Sequence, residues 1–472
     1  MVFIRFKKQG KKEYAYQVKE YWDSKIKRSR QKVKYLGVVI NKEKKLFEKK
    51  MVKISAEKLV LDFGDTYLLN KFLERNDFIK LLKNIFKEYI DSLLALISYR
   101  LCYGSAMYFA QTWFEGNYIR FIYKNANISS QRISDFLKLI GEEYYLREFF
   151  NVYLTEKARN IKGVILDTTS LPNQIHIPLT AWGRSGEEID KQIKFLLVVD
   201  KLNSEPLFFR LLPGNIVDVS ALSNTIAELE KYGLKELYTC LDAGFFSEDN
   251  IKEMYEKKID FLTRLPSSRC LYKELIKEEC GNIEAYANAV RYGERGLFVK
   301  QKEVELFGNK AYTYIVLDPK RKGKEINNLV IQTIDEKEIN PDLDYEFKKK
   351  GIMILVSSFY IDKKEVVSSY YTRQTAEKLF GFSKDDLNIL PLRRHSEEAT
   401  RGFIFLQFLS LLAFVQLKNK LGKELTVEEV LLTMRNLKCK VYENELLVME
   451  PTKQQKLFAE KLNIILPKNL GI

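Results

Sequence analysis

The stretch "GVILDTTS" (residues 163–170) decides how the middle of this chain is read. Val164, Ile165 and Leu166 form a short apolar run of the kind that fills a strand covered on both faces, and a carboxylate, Asp167, closes it. The texture continues downstream. "IKFLLVVD" (193–200) and "PLFFRLLPG" (206–214) predict two more strands, and residues 220–232 a helix. "ELYTCLD" (236–242) predicts a fourth strand, residues 247–257 a helix, and "IDFLTRL" (259–265) a fifth strand. Three strands, helix, strand, helix, strand is a mixed α/β layer, not a TIM barrel, which would alternate throughout. Neither a GxGxxG nor a P-loop sequence is present, so nucleotide-binding doubly wound folds lose their main signal.

On the N-terminal side, residues 1–60 are basic and strand-like. Tyr14, Tyr16 and Val18 alternate, Asp23-Ser24 can turn, and "RQKVKYLG" (30–37) returns as a partner strand. Lys25, Lys27, Arg28, Arg30, Lys32 and Lys34 load this hairpin with charge, which suits either a solvated edge or a phosphate-contacting arm. Residues 61–160 turn helical around an aromatic middle (103–123). In "NISSQRISDFLKLIGEE" (127–143), Ser129 or Ser130 is the expected N-cap. Ile133, Phe136, Leu137 and Ile140 follow at helical spacing, and Gly141 stands as a stop. Gln131 and Arg132 near that N-terminus suit reading of DNA edges, and a plain bundle helix accounts for them equally well.

Beyond residue 266 the pattern is interrupted. "GLFVKQKEVELFGNKAYTYIVLD" (296–318) predicts antiparallel strands about a Gly308-Asn309 turn, and "KRKGKEINN" (320–328) a polar loop. "GIMILVSS" (351–358) resumes the strand texture. The texture divides the chain into a basic hairpin region at 1–60, a helical region at 61–160 that Gln131 and Arg132 make a candidate DNA-binding domain, and an α/β texture in two parts, 161–266 and 351–422. A β-rich stretch at 267–350 interrupts those parts, and a helical tail is expected at 423–472.

The chain has 472 residues, too many for a single compact core, and a 46% hydrophobic content that excludes a mainly disordered protein. Its net charge of +15 favours a polyanionic partner, nucleic acid first and an anionic membrane surface second. A membrane-surface role is disfavoured, because no basic amphipathic helix with an isolated apolar face stands out. Cys102, Cys240, Cys270, Cys280 and Cys439 are scattered and form no CxxC pair, which fits a reducing cytoplasm. The first fourteen residues lack the apolar core of a signal peptide, and "FIFLQFLSLLAFVQL" (403–417) is read as a buried core helix too short to span a bilayer. The expectation is a soluble, cytoplasmic, nucleoid-associated protein.

Two aspartates end apolar strands, Asp167 after "VIL" and Asp242 after "YTCL". A buried carboxylate needs a donor, a cation or a metal, and each aspartate alone fits a turn-capping role. "YYTRQTAEKLFGFSK" (370–384) adds a glutamate. Counting from Tyr370, Arg373 falls about 60° away, Glu377 about 20° and Lys384 about 40°, all to one side of one helix, provided the helix survives Gly381. Taken by itself that stripe is a solvated face with an Arg373–Glu377 pair worth about 0.2–0.5 kcal/mol. Two strand-end aspartates and a later helical glutamate are more specific. Three hard oxygen ligands without His or Cys suit Mg²⁺ or Mn²⁺ and two-metal phosphoryl chemistry.

These segments together resemble the DDE transposases of bacterial insertion sequences, in the cut-and-paste subgroup with a Tyr-x2-Arg-x3-Glu-x6-Lys signature. The signature is matched at Tyr370, Arg373, Glu377 and Lys384, and "LDTTS", "LPGNIVD" (212–218) and "LDAGFFSEDNI" (241–251) resemble the family's core motifs. "ISSQRISDFL" (128–137) and "PLRRHSEEATRGFIFLQFLSLLAF" (391–414) resemble family segments as well. The resemblance implies an α/β, RNase H-like mixed-sheet core with a β-rich insertion between the second Asp and the Glu. It implies catalysis by Asp167, Asp242 and Glu377 holding two Mg²⁺ (or Mn²⁺) ions per active site, with Asp167 bridging them. Tyr370, Arg373 and Lys384 would hold phosphates of the transposon end. Arg393, Arg394 and His395 join Gln131 and Arg132 as expected DNA contacts, and His176 is expected to be structural. The implied partners are double-stranded DNA, as inverted-repeat ends and as target, and a second copy of the chain on that DNA. Two other classes remain open from the residues: an RNase H-fold nuclease without strand transfer, and a non-catalytic DNA-binding repressor.

Overall fold

In the computed structural model, the described residues are 2–9, 12–23, 28–42, 46–48, 59–161, 163–185, 188–215, 219–234, 237–241, 243–335, 343–372, 378–379, 381, 390, 392, 394–443 and 445–471. They fall into two compact units, Met1–Leu59 with Val441–Asn444, and Val60–Lys440 with Glu445–Ile472.

The first unit is an antiparallel meander, β1 (Val2–Gln9), β2 (Lys12–Asp23), β3 (Arg28–Asn41) and β4 (Leu46–Glu48), paired in that order. The anticipated hairpin thus supplies two members, β2 and β3, of a four-stranded sheet. On β2 the buried residues are Ala15 and Val18, three apart, where strict alternation would bury Tyr14, Tyr16 and Val18 together. A register shift between Ala15 and Tyr16 accounts for this, since one extra residue in a strand turns the following side chains to the other face. Arg28, Arg30, Lys32 and Lys34 are exposed on β3; Lys25 and Lys27 lie outside the described residues.

In the second unit the helices α1 (Gly64–Arg75), α2 (Phe78–Phe86), α3 (Ile90–Cys102), α4 (Ala110–Glu115), α5 (Ser130–Ile140) and α6 (Glu143–Lys157) come first. Helix α5 buries Ile133, Phe136, Leu137 and Ile140 and stops at Gly141, following its sequence pattern. The region is not closed on itself, however. Phe149 and Phe150 of α6 meet Phe405 and Phe408 of the long helix Glu397–Leu421, at centroid separations of 5.3–6.3 Å, and Phe150 lies 4.6 Å from Phe208. Residues 61–160, expected as a separate domain, therefore share a core with the chain's later half. The long helix has the length and apolarity to cross a membrane, but 89% of its most apolar window is buried inside the protein. It packs against α3, α5 and the strand β9 (Pro206–Pro213).

Two sheets form the centre. In one, β6 (Val164–Pro172) pairs antiparallel with β8 (Glu188–Asp200), which also pairs with β7 (Ala181–Ser185) and β9. In the other, the order is β10 (Tyr238–Leu241), β11 (Asp260–Arg264), β15 (Ile352–Ser357), β14 (Asn309–Leu317), β13 (Arg295–Leu306) and β12 (Ala289–Tyr292). Strands β10 and β11 are parallel, with α7 (Val219–Lys231) before β10 and α8 (Glu248–Glu256) between the two. The segment 267–350, read as a β-rich insertion, holds β12, β13 and β14, and their sheet is continuous with the core strands, because β14 pairs with β15 along six residues. That segment also carries α9 (Cys270–Glu279), α10 (Pro319–Asp335) and α11 (Leu343–Lys349).

Helix α10 replaces the polar loop read at 320–328. Asp318 accepts the Arg321 N–H at 3.1 Å, Pro319 occupies the first helical position, and Arg321 pairs with Glu325 at 2.6 Å. A capping Asp followed by Pro starts a helix despite the Gly and Asn residues behind it.

The tail 423–472 is also not purely helical. Besides the helices Val427–Arg435 and Lys453–Lys461 it holds β16 (Lys438–Val441), β17 (Glu445–Val448) and β18 (Asn469–Gly471), which form a sheet with β5 (Leu59–Asp62). Arg435 donates from Nε to Asp65 at 3.2 Å, and the Thr66 N–H donates to the same carboxylate at 2.8 Å. Asp65 is fully buried, and desolvation outweighs these donors, raising its pKa from 3.8 to about 6. Because the folded value lies above the unfolded one, Asp65 favours folding most below pH 4, and this contribution is lost as pH rises through 6. Between pH 7.5 and pH 4.5 the wild type should gain about 2 kcal/mol relative to Asp65→Asn. Urea titrations of both proteins at the two pH values would show it, and parallel pH profiles would refute it.

Candidate active site

Strand β6 is buried at Val164, Ile165 and Leu166 and becomes half-exposed from Asp167 to Ser170. The sheet thus opens at the carboxylate: the apolar run fixes the strand and Asp167 is the first side chain to reach the edge of the core. Its Oδ1 accepts the Thr168 N–H at 2.9 Å, which orients the carboxylate. Lys194, on the neighbouring strand, donates to Ser170 Oγ at 2.6 Å.

Strand β10 lies beside β6. A Cβ on Gly163 would stand 3.2 Å from the Tyr238 ring, so the starts of the two strands meet. Strand β10 ends at Leu241; Asp242, next in sequence, lies outside the described residues.

The helix α12 (Val366–Tyr371) closes on the same place. Cys240 Sγ of β10 lies 3.8 Å from the Ser369 carbonyl oxygen and 3.7 Å from that of Tyr370. Lys201, just after β8, donates to Ser369 Oγ at 2.9 Å while its ammonium sits 5.1 Å from the Tyr238 ring centroid. Tyr371 stacks on Tyr292 at 5.3 Å. Strand β6 with Asp167, the end of β10 and the end of α12 are thereby held together. Lys201 and Cys240 do part of that work, and sequence reading did not single them out.

The remaining expected residues divide clearly. Arg373, Glu377, Lys384 and Arg393, like Asp242, lie outside the described residues. Tyr370 is only 7% exposed, so it is not on a wet stripe: it stands one helical turn beyond buried Val366 and shares that face. Gly381 is helical, and a Cβ there would touch no described residue within 4 Å. Gln131 and Arg132 are exposed on the first turn of α5, with Arg132 3.8 Å from Asp135. His395 is exposed just before the long helix, whereas Arg394 is half-buried, with its guanidinium 4.7 Å from the Phe403 ring centroid. His176, expected to be structural, is exposed.

All five cysteines are free. Among the described residues no three His, Cys, Asp or Glu side chains gather as a metal-binding group, and only one of the three expected ligands, Asp167, is among those residues. Asp167 itself suits a hard cation: it is a half-exposed carboxylate at the edge of an apolar strand.

The family described as "Transposase DDE domain" matches residues 159–413, a span that runs from just before β6 into the long helix. No curated protein matches the chain. Among solved structures, the chain is similar to a piggyBac transposase, in a cryo-EM structure of its synaptic complex with hairpin DNA. Identity is 12% and the TM-score 0.36, over 84% of this chain and 79% of that one.

Proposed function

The chain belongs to the DDE transposase family, and on that premise we propose that it binds the ends of an insertion sequence and cuts and rejoins DNA there with divalent metal ions. The observation that carries this reading is the convergence of three elements: the half-exposed Asp167 on β6, the end of β10 beside it, and α12 seated on β10 through Cys240. The chain leaves β10 toward Asp242 and α12 toward Arg373 and Glu377, so the described segments that lead to the second and third expected carboxylates both end near β6.

The strand arrangement supports an RNase H-like core. Strands β9, β8 and β6 are antiparallel neighbours, β10 lies beside β6, and β11 is parallel to β10. In this reading Asp167, Asp242 and Glu377 hold Mg²⁺ or Mn²⁺, two ions per site, as an all-oxygen donor set favours. Such ions, when bound, activate the attacking hydroxyl and neutralise charge on the phosphodiester. Asp167 is kept in place by the Thr168 N–H, and Lys201 positions α12 relative to β10. Arg373 offers a bidentate guanidinium and Lys384 a point charge to DNA phosphates, and Tyr370 a hydroxyl. Arg393, Arg394, His395, Gln131 and Arg132 extend the contact along the DNA, and the net charge of +15 favours it electrostatically. Two copies of the chain would pair the two ends.

The test is a plasmid carrying the gene with its native flanks, incubated with the full-length protein. The reading expects breaks at the element ends in Mg²⁺ or Mn²⁺ and none in EDTA. Intact plasmid under all metal conditions, from protein that is folded and binds DNA, would refute it and leave a repressor.

A further inference from the structure

Arg100 is the one basic residue on α3, a helix rich in Leu and Ile, and it is 2% exposed. Its Nη1 donates to the Ser105 carbonyl oxygen at 3.1 Å, but Nε and Nη2 have no partner among the described residues. Arg394 approaches from the segment before the long helix, and its Nε is likewise buried without a partner. Both line one cavity of about 620 Å³, together with Tyr103, Tyr108, Ser130 and Ser134. No aspartate or glutamate is among the described lining residues. Helix α5 begins at Ser130, on the cavity wall, and its N-cap Ser129 makes no side-chain cap, so the positive end of an eleven-residue helix borders the same space.

Burial lowers the pKa of both guanidiniums, that of Arg100 to about 10, with the charge of Arg394 pushing it the same way. Arg100 nonetheless remains charged at neutral pH. A buried and a half-buried cation with no counter-charge among the described residues are costly, and an anion between them offsets that cost. A lone phosphate fills little of such a cavity, whose size lies within the roughly 300–1,000 Å³ of pockets for whole small molecules. Tyr108, 73% exposed on the rim, and Tyr103 supply aromatic surface beside the cationic end. Guanidinium, hydroxyls, a helix N-terminus and aromatic rings are together the groups that recognise a nucleotide.

We propose that this cavity takes one nucleotide of a DNA strand, with its phosphate on Arg100 and Arg394 and its base or sugar against Tyr103 and Tyr108. The inference rests on the DNA reading above only for the source of that nucleotide.

Melting of the full-length protein in thymidine 5′-monophosphate, inorganic phosphate or thymidine, at constant ionic strength and in EDTA, tests the pocket without any cleavage step. The monophosphate should raise the midpoint most, inorganic phosphate less, and thymidine not at all. Arg394→Gln should abolish both shifts, and Tyr108→Ala only the excess of the monophosphate over phosphate. A labelled oligothymidylate followed by anisotropy should be displaced by the monophosphate, and should bind Arg394→Gln at least about tenfold more weakly, equivalent to roughly 1.4 kcal/mol. Equal shifts in wild type and Arg394→Gln overturn the pocket even if Mg²⁺-dependent cleavage is intact. A shift with phosphate alone, without displacement of the oligonucleotide, reduces it to a free-anion site and overturns the nucleotide assignment. Absent cleavage by a wild type that shows the expected shifts counts against the proposed function alone.

Discussion

Asp167→Asn should reduce metal-dependent cleavage of end-bearing DNA by at least about 10³-fold, equivalent to roughly 4 kcal/mol of barrier. The substitution keeps the shape of the side chain and keeps an oxygen able to accept the Thr168 N–H, so the local turn at the end of the apolar run survives. What it removes is a negative charge at the half-exposed point of β6 where a divalent ion would bind. Stability and DNA affinity should therefore stay near wild type while single-turnover cleavage collapses. Near-normal cleavage by Asp167→Asn would remove it from the catalytic set. A parallel fall in stability would instead make it a strand-end residue with a structural role only.

Gly402→Ala carries the largest expected effect on stability. A Cβ at Gly402 would lie 1.8 Å from the Leu137 carbonyl oxygen and 2.9 Å from the Gly141 nitrogen. A Cβ at Gly141 would meet the Glu398 carbonyl oxygen at 1.9 Å. The C-terminal end of α5 and the long helix thus touch backbone to backbone, and a methyl group can enter only if the helices separate. The obstacle is main chain, which cannot swing aside like a flexible side chain. A loss of about 3 kcal/mol or more is expected, at or beyond the upper end of ordinary overpacking, even after the helix-propensity gain of about 1 kcal/mol. Gly323→Ala in α10 is the matched control. No atom of the described residues lies within 4 Å of its Cβ position, so it should stabilise by roughly 0.5–1 kcal/mol. Denaturant titrations that give the two substitutions similar effects would contradict the close crossing. Because Ile133 and Ser134 of α5 and Phe403 of the long helix line the Arg100 cavity, Gly402→Ala should also weaken nucleotide binding there.

The central strands were legible because each is an apolar run bounded by turn residues and because charge falls at the edge of the core, as at Asp167. Helix α5 was legible for a related reason: four buried residues at helical spacing and a glycine stop. Pairing between distant segments was not. Nothing local in "GIMILVSS" says that β15 will take β14 as a neighbour and fuse the presumed insertion to the core sheet. Helix α10 was hidden by Gly323, Asn327 and Asn328, although its Asp318-Pro319 start was available to be read. Of the tail strands, "KCKV" was readable, since polar and apolar residues alternate there, whereas "ELLV" hides its alternation behind the exposed Leu447. The alignment of Tyr370 with Glu377 on a helical wheel said nothing of which side is wet, whereas Val366 one turn earlier did. Lys201 and Arg100 owe their roles to tertiary neighbours. Arg100 still carried a signal, as the one basic residue on a helix rich in Leu and Ile.

The most direct measurement of the central claim is the sequence of joined products. Full-length protein, Mg²⁺, a DNA fragment ending in the native flanks of the gene and a target plasmid are incubated together, and junctions are sequenced. The proposed activity predicts element ends joined to target DNA, bounded by short direct duplications, and no junctions with Asp167→Asn. Efficient Mg²⁺-dependent cutting that never yields a junction would contradict it and establish a nuclease without strand transfer.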